Sequence, residues 1–244
     1  AGMKYTVLTS KHHDGYTLFN SKTPYSSKND VTGSTNISPA GRDLVAEYAK
    51  SVRGQGLKVG YYYSLIDWQH PHAMEHTRKW PIAPGTDHSQ YLDYMHQHMK
   101  QLFTDYGKID ILWVDYSNAQ YQGSTWQTKE ILTQLYKLQP EALVNNRFWN
   151  GHQNENGDFF TPEKSIPPTG YPGRTFEVCH TMNESFGFSY HDENWKTGKD
   201  VIHMLVDIVS KGGNLLLNVG PDPHGKIPQE SVDALLETGQ WLGV

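Results

Sequence analysis

Apolar and polar positions follow two rhythms along this chain. Short continuous apolar runs end in polar loops, and each loop leads to a segment whose apolar residues recur roughly every three to four positions. Tyr5–Thr9 (YTVLT) is the first β-rich run, closed by Lys11-His12-His13-Asp14-Gly15. A polar loop with Pro24 and several Ser and Asn residues follows. Asp43–Arg53 then sets Leu44, Val45, Tyr48, Ala49 and Val52 on one helical stripe, with Gly54 just beyond. The same reading predicts strands over Leu57–Ser64, Ile109–Asp115, Ala142–Arg147, Phe176–His180 and Asn214–Val219. It predicts helices over Tyr91–Phe103, Glu130–Leu138, Asp200–Ser210 and Gln229–Trp241.

Strand, loop and helix in repetition, with strands that read as unbroken apolar runs, predict an α/β fold: a parallel sheet covered by helices. No linker is visible, so residues 1–244 are expected to form a single domain. The length suits an α/β barrel of about 250 residues. Trp149–Arg174 is irregular and rich in Gly and Pro, and loops of that length in compact domains are usually functional or mobile.

Polar residues gather where the strands end. His12 and His13 follow the first, Tyr62, Tyr63 and Asp67 lie at the end of the second, Asp115 ends the third and Arg147 the fourth. In a parallel barrel these ends share one face, where the chemistry sits. Ile111-Leu112-Trp113-Val114-Asp115-Tyr116 is the sharpest case, a run that promises burial and delivers a carboxylate. A desolvated carboxylate needs a partner. An acid after a strand often does no more than cap a helix or pair with an arginine. The convergence of polar strand ends favours a site instead.

His12-His13 could donate hydrogen bonds to hydroxyls, bind a metal, or be a loop with one satisfied His. His70, His72 and His76 lack the HExxH arrangement, since Ala73, Met74 and Glu75 separate the last two. His96 and His98 do not share a helical face. No metal site is therefore expected. A second carboxylate could come from Asp158, Glu163, Glu177, Glu184 or Glu193, and spacing does not choose among them.

Net charge is −5, which gives no reason to expect nucleic acid as a partner. Aromatics reach 12%, with seven Trp and fifteen Tyr; flat rings suit sugars, though a rich core gives the same count. One cysteine, Cys179, excludes an internal disulfide. No apolar run is long enough to span a bilayer, so no membrane partner is expected, nor is a leader peptide.

Lys4–Gly15 (KYTVLTSKHHDG), Gly41–Ser64 (GRDLVAEYAKSVRGQGLKVGYYYS), ILWVD, VNNR and Ser210–Pro221 (SKGGNLLLNVGP) together resemble glycoside hydrolase family 29, the retaining α-L-fucosidases. The resemblance spans nearly the whole chain. It implies a (β/α)8-like TIM barrel and double displacement through a covalent fucosyl-enzyme intermediate. By resemblance Asp115 is the nucleophile, and Glu163, in GDFFTPEKSIP, is the acid/base, with Glu177 as runner-up. His12, His13, Tyr62, Trp113 and Arg147 match residues that hold the sugar, and Phe186 matches an aromatic beside the fucose methyl group. The implied partner is a fucosylated oligosaccharide or glycoconjugate. No cofactor and no metal are implied, and a secreted, periplasmic or lysosomal setting fits. Family members begin earlier and continue into a β-sandwich. The chain is thus expected to lack the first βα unit, with a homo-oligomeric copy or a further segment completing the barrel. Two other readings stand beside this one: a fucose-binding module without turnover, and a zinc-dependent hydrolase built on the His clusters.

Overall fold

The computed structural model describes residues 2–23, 42–73, 85–118, 121–149 and 156–243. The Pro24 loop and His76 lie outside them. The chain divides into two compact units, one over Lys4–Gly157 and the other over Asp158–Val244 with residues 1–3.

The Lys4–Gly157 unit holds four parallel strands in the order β1-β2-β3-β4: Tyr5–Lys11, Lys58–Ser64, Ile111–Asp115 and Leu143–Val144. Its helices are α1, Leu44–Gly54, α2, His88–Asp105, and α3, Thr128–Leu138. β3 lies between β2 and β4. Its four residues before Asp115 are all buried, as expected of a strand covered on both faces. Successive side chains of β2 point to opposite faces. Tyr61 and Tyr63 pack towards the helices, where the Tyr61 ring meets Tyr48 and Tyr106 and the Tyr63 ring meets His98. Tyr62 therefore points to the other face. Asp43 and Asp87 cap α1 and α2 by accepting from Ala46 N and Ser89 N. The Asp87 cap explains why α2 starts before the expected Tyr91.

β1 runs two residues further than expected and is irregular between Thr9 and Lys11: Thr9 pairs with Tyr62, but Lys11 pairs with Tyr63. This bulge exchanges the faces of everything after it. Lys11 is thereby turned to the helix side, with its ammonium 5.0 Å from the Tyr63 ring centroid, and His12 to the side of Tyr62.

The expected strand Ala142–Arg147 shrinks to β4, Leu143–Val144, and becomes a 3-10 turn over Asn146–Phe148. The cause is Asn145. Its amide accepts from Val114 N at 3.0 Å and donates to Val114 O at 2.9 Å. The side chain takes over the ladder bonds of a strand neighbour, which leaves the main chain able to turn.

In the other unit β5, Phe176–Thr181, pairs in parallel with β6, Gly213–Asn218. α4, Gly198–Ser210, connects them and α5, Gln229–Trp241, follows. α4 opens on a reciprocal capping box between Thr197 and Asp200. Phe176, Val178, Met204 and Ile208 form its core with Phe160. The expected irregular stretch is partly ordered against β5: isolated parallel bridges join Phe160 to Phe176 and Glu163 to Cys179. Its residues 150–155 lie outside the described ones. Among the described residues no helix is long and apolar enough to cross a membrane.

Candidate active site at the tips of β1, β2 and β3

The register of β2 on β3 sets Tyr62 beside Trp113 and Ser64 beside Asp115. These side chains leave the sheet on the face away from the helices. The Tyr62 and Trp113 rings stack at 5.6 Å, and His12 stacks on the other side of Tyr62 at 5.4 Å and 9°. The Tyr62 hydroxyl donates to Asp115 Oδ2 at 2.8 Å. Arg147 Nη1 donates to Asp115 Oδ1 at 2.7 Å, and its guanidinium carbon lies 4.5 Å from the Trp113 ring centroid. The turn after β4 thus delivers Arg147 to the carboxylate.

Each Asp115 oxygen is held by a separate donor, so the carboxylate plane is fixed. Pairing with an arginine is also what a purely structural acid would show. Asp115 differs in its surroundings: its side chain keeps 19% exposure, and a tier of aromatic and imidazole rings lines the approach. Tyr116, the next residue, has φ of 81°, a left-handed conformation that strains a bulky side chain. Its ring stands 4.7 Å from His13, edge-on.

His12 and His13 are separated in role. His13 Nδ1 lies 2.6 Å from Ser64 Oγ, and the two imidazole centroids are 4.0 Å apart. Partial desolvation pushes the His12 imidazole below its ordinary pKa; Asp14 and Asp115 pull the other way. A neutral His12 has one nitrogen that donates and one that accepts, which matches a sugar hydroxyl.

The other candidates, Glu163, Glu177 and Phe186, belong to the Asp158–Val244 unit. Glu163 is exposed on the segment bridged to β5, opposite Cys179. Lys164, beside it, places its ammonium 4.9 Å from the Phe186 ring and donates to Glu184 O at 2.5 Å. Lys164 thus ties this segment to the stretch that carries Phe186. Phe186 is 39% exposed. Glu177, by contrast, is 3% exposed on the β5 face away from α4.

His70, His72, His96 and His98 are held by bonds within the fold. His98 is fully buried, with Nδ1 at 2.9 Å from the Tyr63 hydroxyl and Nε2 at 2.7 Å from Ser21 Oγ. His96 Nε2 lies 2.9 Å from Trp126 O. His70 Nδ1 accepts from His72 N, and His72 Nδ1 accepts from Asp87 N. Among the described residues no group of three or more His, Cys, Asp or Glu is placed to hold a metal ion.

A family model described as Alpha-L-fucosidase matches residues 1–244. The chain belongs to the alpha-L-fucosidase family. It is 34% identical to the alpha-L-fucosidase of Dictyostelium discoideum, over all of this chain and 52% of that protein. It is 30% identical to the tissue alpha-L-fucosidase of Homo sapiens, over all of this chain and 51% of that protein. The chain thus spans about half the length of the curated relatives it matches. Among solved alpha-L-fucosidase structures, isoenzyme 1 from Paenibacillus thiaminolyticus superposes with a TM-score of 0.87 at 41% identity, over 99% of this chain and 60% of that one. An alpha-L-fucosidase from Lactobacillus casei in complex with alpha-L-fucose product gives 0.80 at 29% identity, over 98% and 75%. The α/β architecture with parallel strands resembles these fucosidases.

Sequence reasoning missed two contributors. Asn145 frees the turn that brings Arg147 in, and Ser64 holds His13; neither type signals chemistry by itself. The bulge that aims His12 could have been suspected only from the polar Ser10-Lys11 pair late in a strand.

Proposed function

We propose that this chain is the catalytic part of a retaining α-L-fucosidase, which cleaves terminal α-L-fucosyl residues from oligosaccharides or glycoconjugates. The carrying observation is the Asp115 carboxylate, gripped by Tyr62 and Arg147 at a strand tip in a chain of this family. The fold in this proposal is a (β/α)8-like TIM barrel, with strand tips on its working face.

Asp115 attacks the anomeric carbon as the glycosidic bond breaks, giving a covalent fucosyl ester. Glu163 gives its proton to the leaving oxygen, then takes one from the water that opens the ester, so configuration is retained. Glu177 is the runner-up for that role. The exposed position of Glu163 supports the first choice, because the leaving group and water must both reach it. Arg147 and Tyr62 keep the Asp115 plane aimed while charge leaves it. His12, His13, Tyr62, Trp113 and Arg147 hold ring hydroxyls and the sugar face. Phe186 offers a flat apolar wall to the methyl at C6. A methyl pocket rejects an added hydroxyl only weakly, so selectivity rests on the polar contacts. Related structures carry fucose product, Fuca(1,6)GlcNAc and 4-nitrophenyl-α-L-fucopyranoside, which supports fucosylated ligands here.

The test is hydrolysis of 4-nitrophenyl α-L-fucoside by the wild type and by Asp115→Ala. Turnover that falls by about four orders of magnitude or more in the variant is expected, as for loss of a nucleophile. Equal rates would overturn the assignment. Fucose binding without any turnover in the wild type would turn the reading to a binding module.

A further inference from the structure

Behind the site lies a charged pair that the proposed chemistry does not use. Lys11 and Asp67 are 0% and 1% exposed, with Nζ 3.4 Å from Oδ2. Lys11 also donates to Ile66 O at 2.7 Å and Ser64 O at 3.3 Å. Two carbonyls thus accept hydrogen bonds from the ammonium, and Asp67 Oδ2 stands beside it as the opposite charge of an ion pair. Burial pushes the lysine towards its neutral form and Asp67 opposes this. A buried pair of this kind is weak evidence for stability, since well-packed apolar residues often do as well. Some other function should account for it.

The carbonyls that Lys11 grips flank Leu65, whose amide donates to Asp115 O at 2.9 Å. Ser64, on one side, holds His13 Nδ1 through Oγ, and that Oγ also donates to Ile66 O at 3.1 Å. Trp68 N donates to His13 O at 2.8 Å, and Gln69 Nε2 to Asp14 O at 2.6 Å. Asp67 Oδ1 accepts from Gln69 N and His70 N at 2.9 and 2.8 Å, which fixes that turn. Gly15, at φ of 84°, lies so close that a Cβ there would be 2.5 Å from Asp67 Oδ1. The tips of β1, β2 and β3 therefore meet on the segment Ser64–Asp67.

We propose that Lys11 and Asp67 are positioning residues: the ammonium clamps Ser64 and Ile66, and through them sets His13 and the backbone of Asp115. This rests on the fucosidase reading for its kinetic consequence, while the geometric consequence stands without it. Misplacing a reacting group by about 1 Å costs on the order of 10²-fold in rate.

The experiment compares wild type, Lys11→Met, Asp67→Leu and the double variant in the full chain. Each single variant should lower Tm, because it leaves one buried charge unpaired, and the double variant should recover most of that loss. Turnover of 4-nitrophenyl α-L-fucoside should stay down by about 10²-fold in the double variant, mainly in kcat. Amide hydrogen exchange at Leu65 should quicken by about tenfold or more, with Tyr61 and Tyr63 amides unchanged, as a local opening demands. Recovery of kcat together with Tm, or unchanged exchange at Leu65, would overturn the proposal. If the apolar variants do not fold, Lys11→Arg carries the comparison: it keeps the charge but not the geometry of three hydrogens on one nitrogen. Wild-type kcat and Leu65 exchange in Lys11→Arg would equally overturn it. A wild type without turnover would sink the fucosidase reading alone, and the exchange result would still decide the clamp.

Discussion

Arg147 Nη1 stands 2.7 Å from Asp115 Oδ1 while its guanidinium lies over the Trp113 ring. The two contacts need one planar cation in one orientation. Lysine offers a point charge that cannot stack and direct a hydrogen bond in the same way. Arg147→Lys should therefore lower kcat/KM for 4-nitrophenyl α-L-fucoside by about 10²-fold, the scale of losing one aimed donor. Tm should change little, because the side chain keeps 15% exposure and lies outside the main core. Activity within threefold of wild type would refute an orienting role for the guanidinium.

Tyr62→Phe separates the hydroxyl from the ring. The phenyl group keeps its stacking with His12 and Trp113, but Asp115 Oδ2 loses its 2.8 Å donor. A hydrogen bond to a charged group contributes about 1.5–3 kcal/mol. A fall in kcat of about tenfold to a hundredfold is expected, with KM little altered. If KM rises and kcat holds, Tyr62 serves substrate binding and not the carboxylate.

The parallel order and the strand tips were legible because they rest on period. Apolar runs such as Ile111–Val114 and stripes such as Val45, Ala49 and Val52 have few alternatives once both faces of the sheet are covered. Asp115, His12, His13 and Tyr62 stood out as candidates for the same reason, since each lies where a run stops. What escaped was geometry made by side chains on backbone. Asn145 ended β4 early by pairing with Val114, and no propensity rule announces that. The shift of register between Thr9 and Lys11 likewise cannot be read from composition, although it decides which of Lys11 and His12 faces the site. Lys11 looked like a loop cation and is wholly buried. The choice between Glu163 and Glu177 was the least legible, because Glu163 lies on a segment with no period at all.

Stability should fall as pH drops from 7 towards 4.5. Burial pushes His70 down to about 4 and drives His98 well below its ordinary value; His88 and His96 are lowered for the same reason. A lowered folded-state pKa means that the unfolded chain takes up the proton first. The stabilisation is complete above the unfolded value near 6.5 and is lost as pH falls through the window down to the folded value. Within that window each such histidine contributes a slope of about 1.4 kcal/mol per pH unit. Calorimetric Tm should therefore decline below pH 6.5, and His70→Gln should flatten the decline between 6.5 and about 4. A Tm that is level or rising over that interval would show that these imidazoles are protonated in the folded state.

Glu163 and Glu177 make opposite demands on a rescue experiment. Glu163 is exposed on the segment bridged to β5, and its removal opens space that a small anion can enter. Glu177 is 3% exposed within β5, and truncating it leaves a buried gap beside Cys179 and Asn214 in the strand ladder. With an activated substrate whose leaving group needs no proton, loss of the acid/base slows opening of the fucosyl ester above all. Azide can then attack in place of water. Glu163→Ala should lose about 10²- to 10⁴-fold in activity on unactivated fucosides, the span of general acid–base catalysis. It should recover with azide on 4-nitrophenyl α-L-fucoside, giving α-fucosyl azide of the same configuration as the substrate, because two displacements at the anomeric carbon restore it. Glu177→Ala should lower Tm and yield no azide adduct. An adduct from Glu177→Ala and none from Glu163→Ala would transfer the acid/base role to the buried carboxylate.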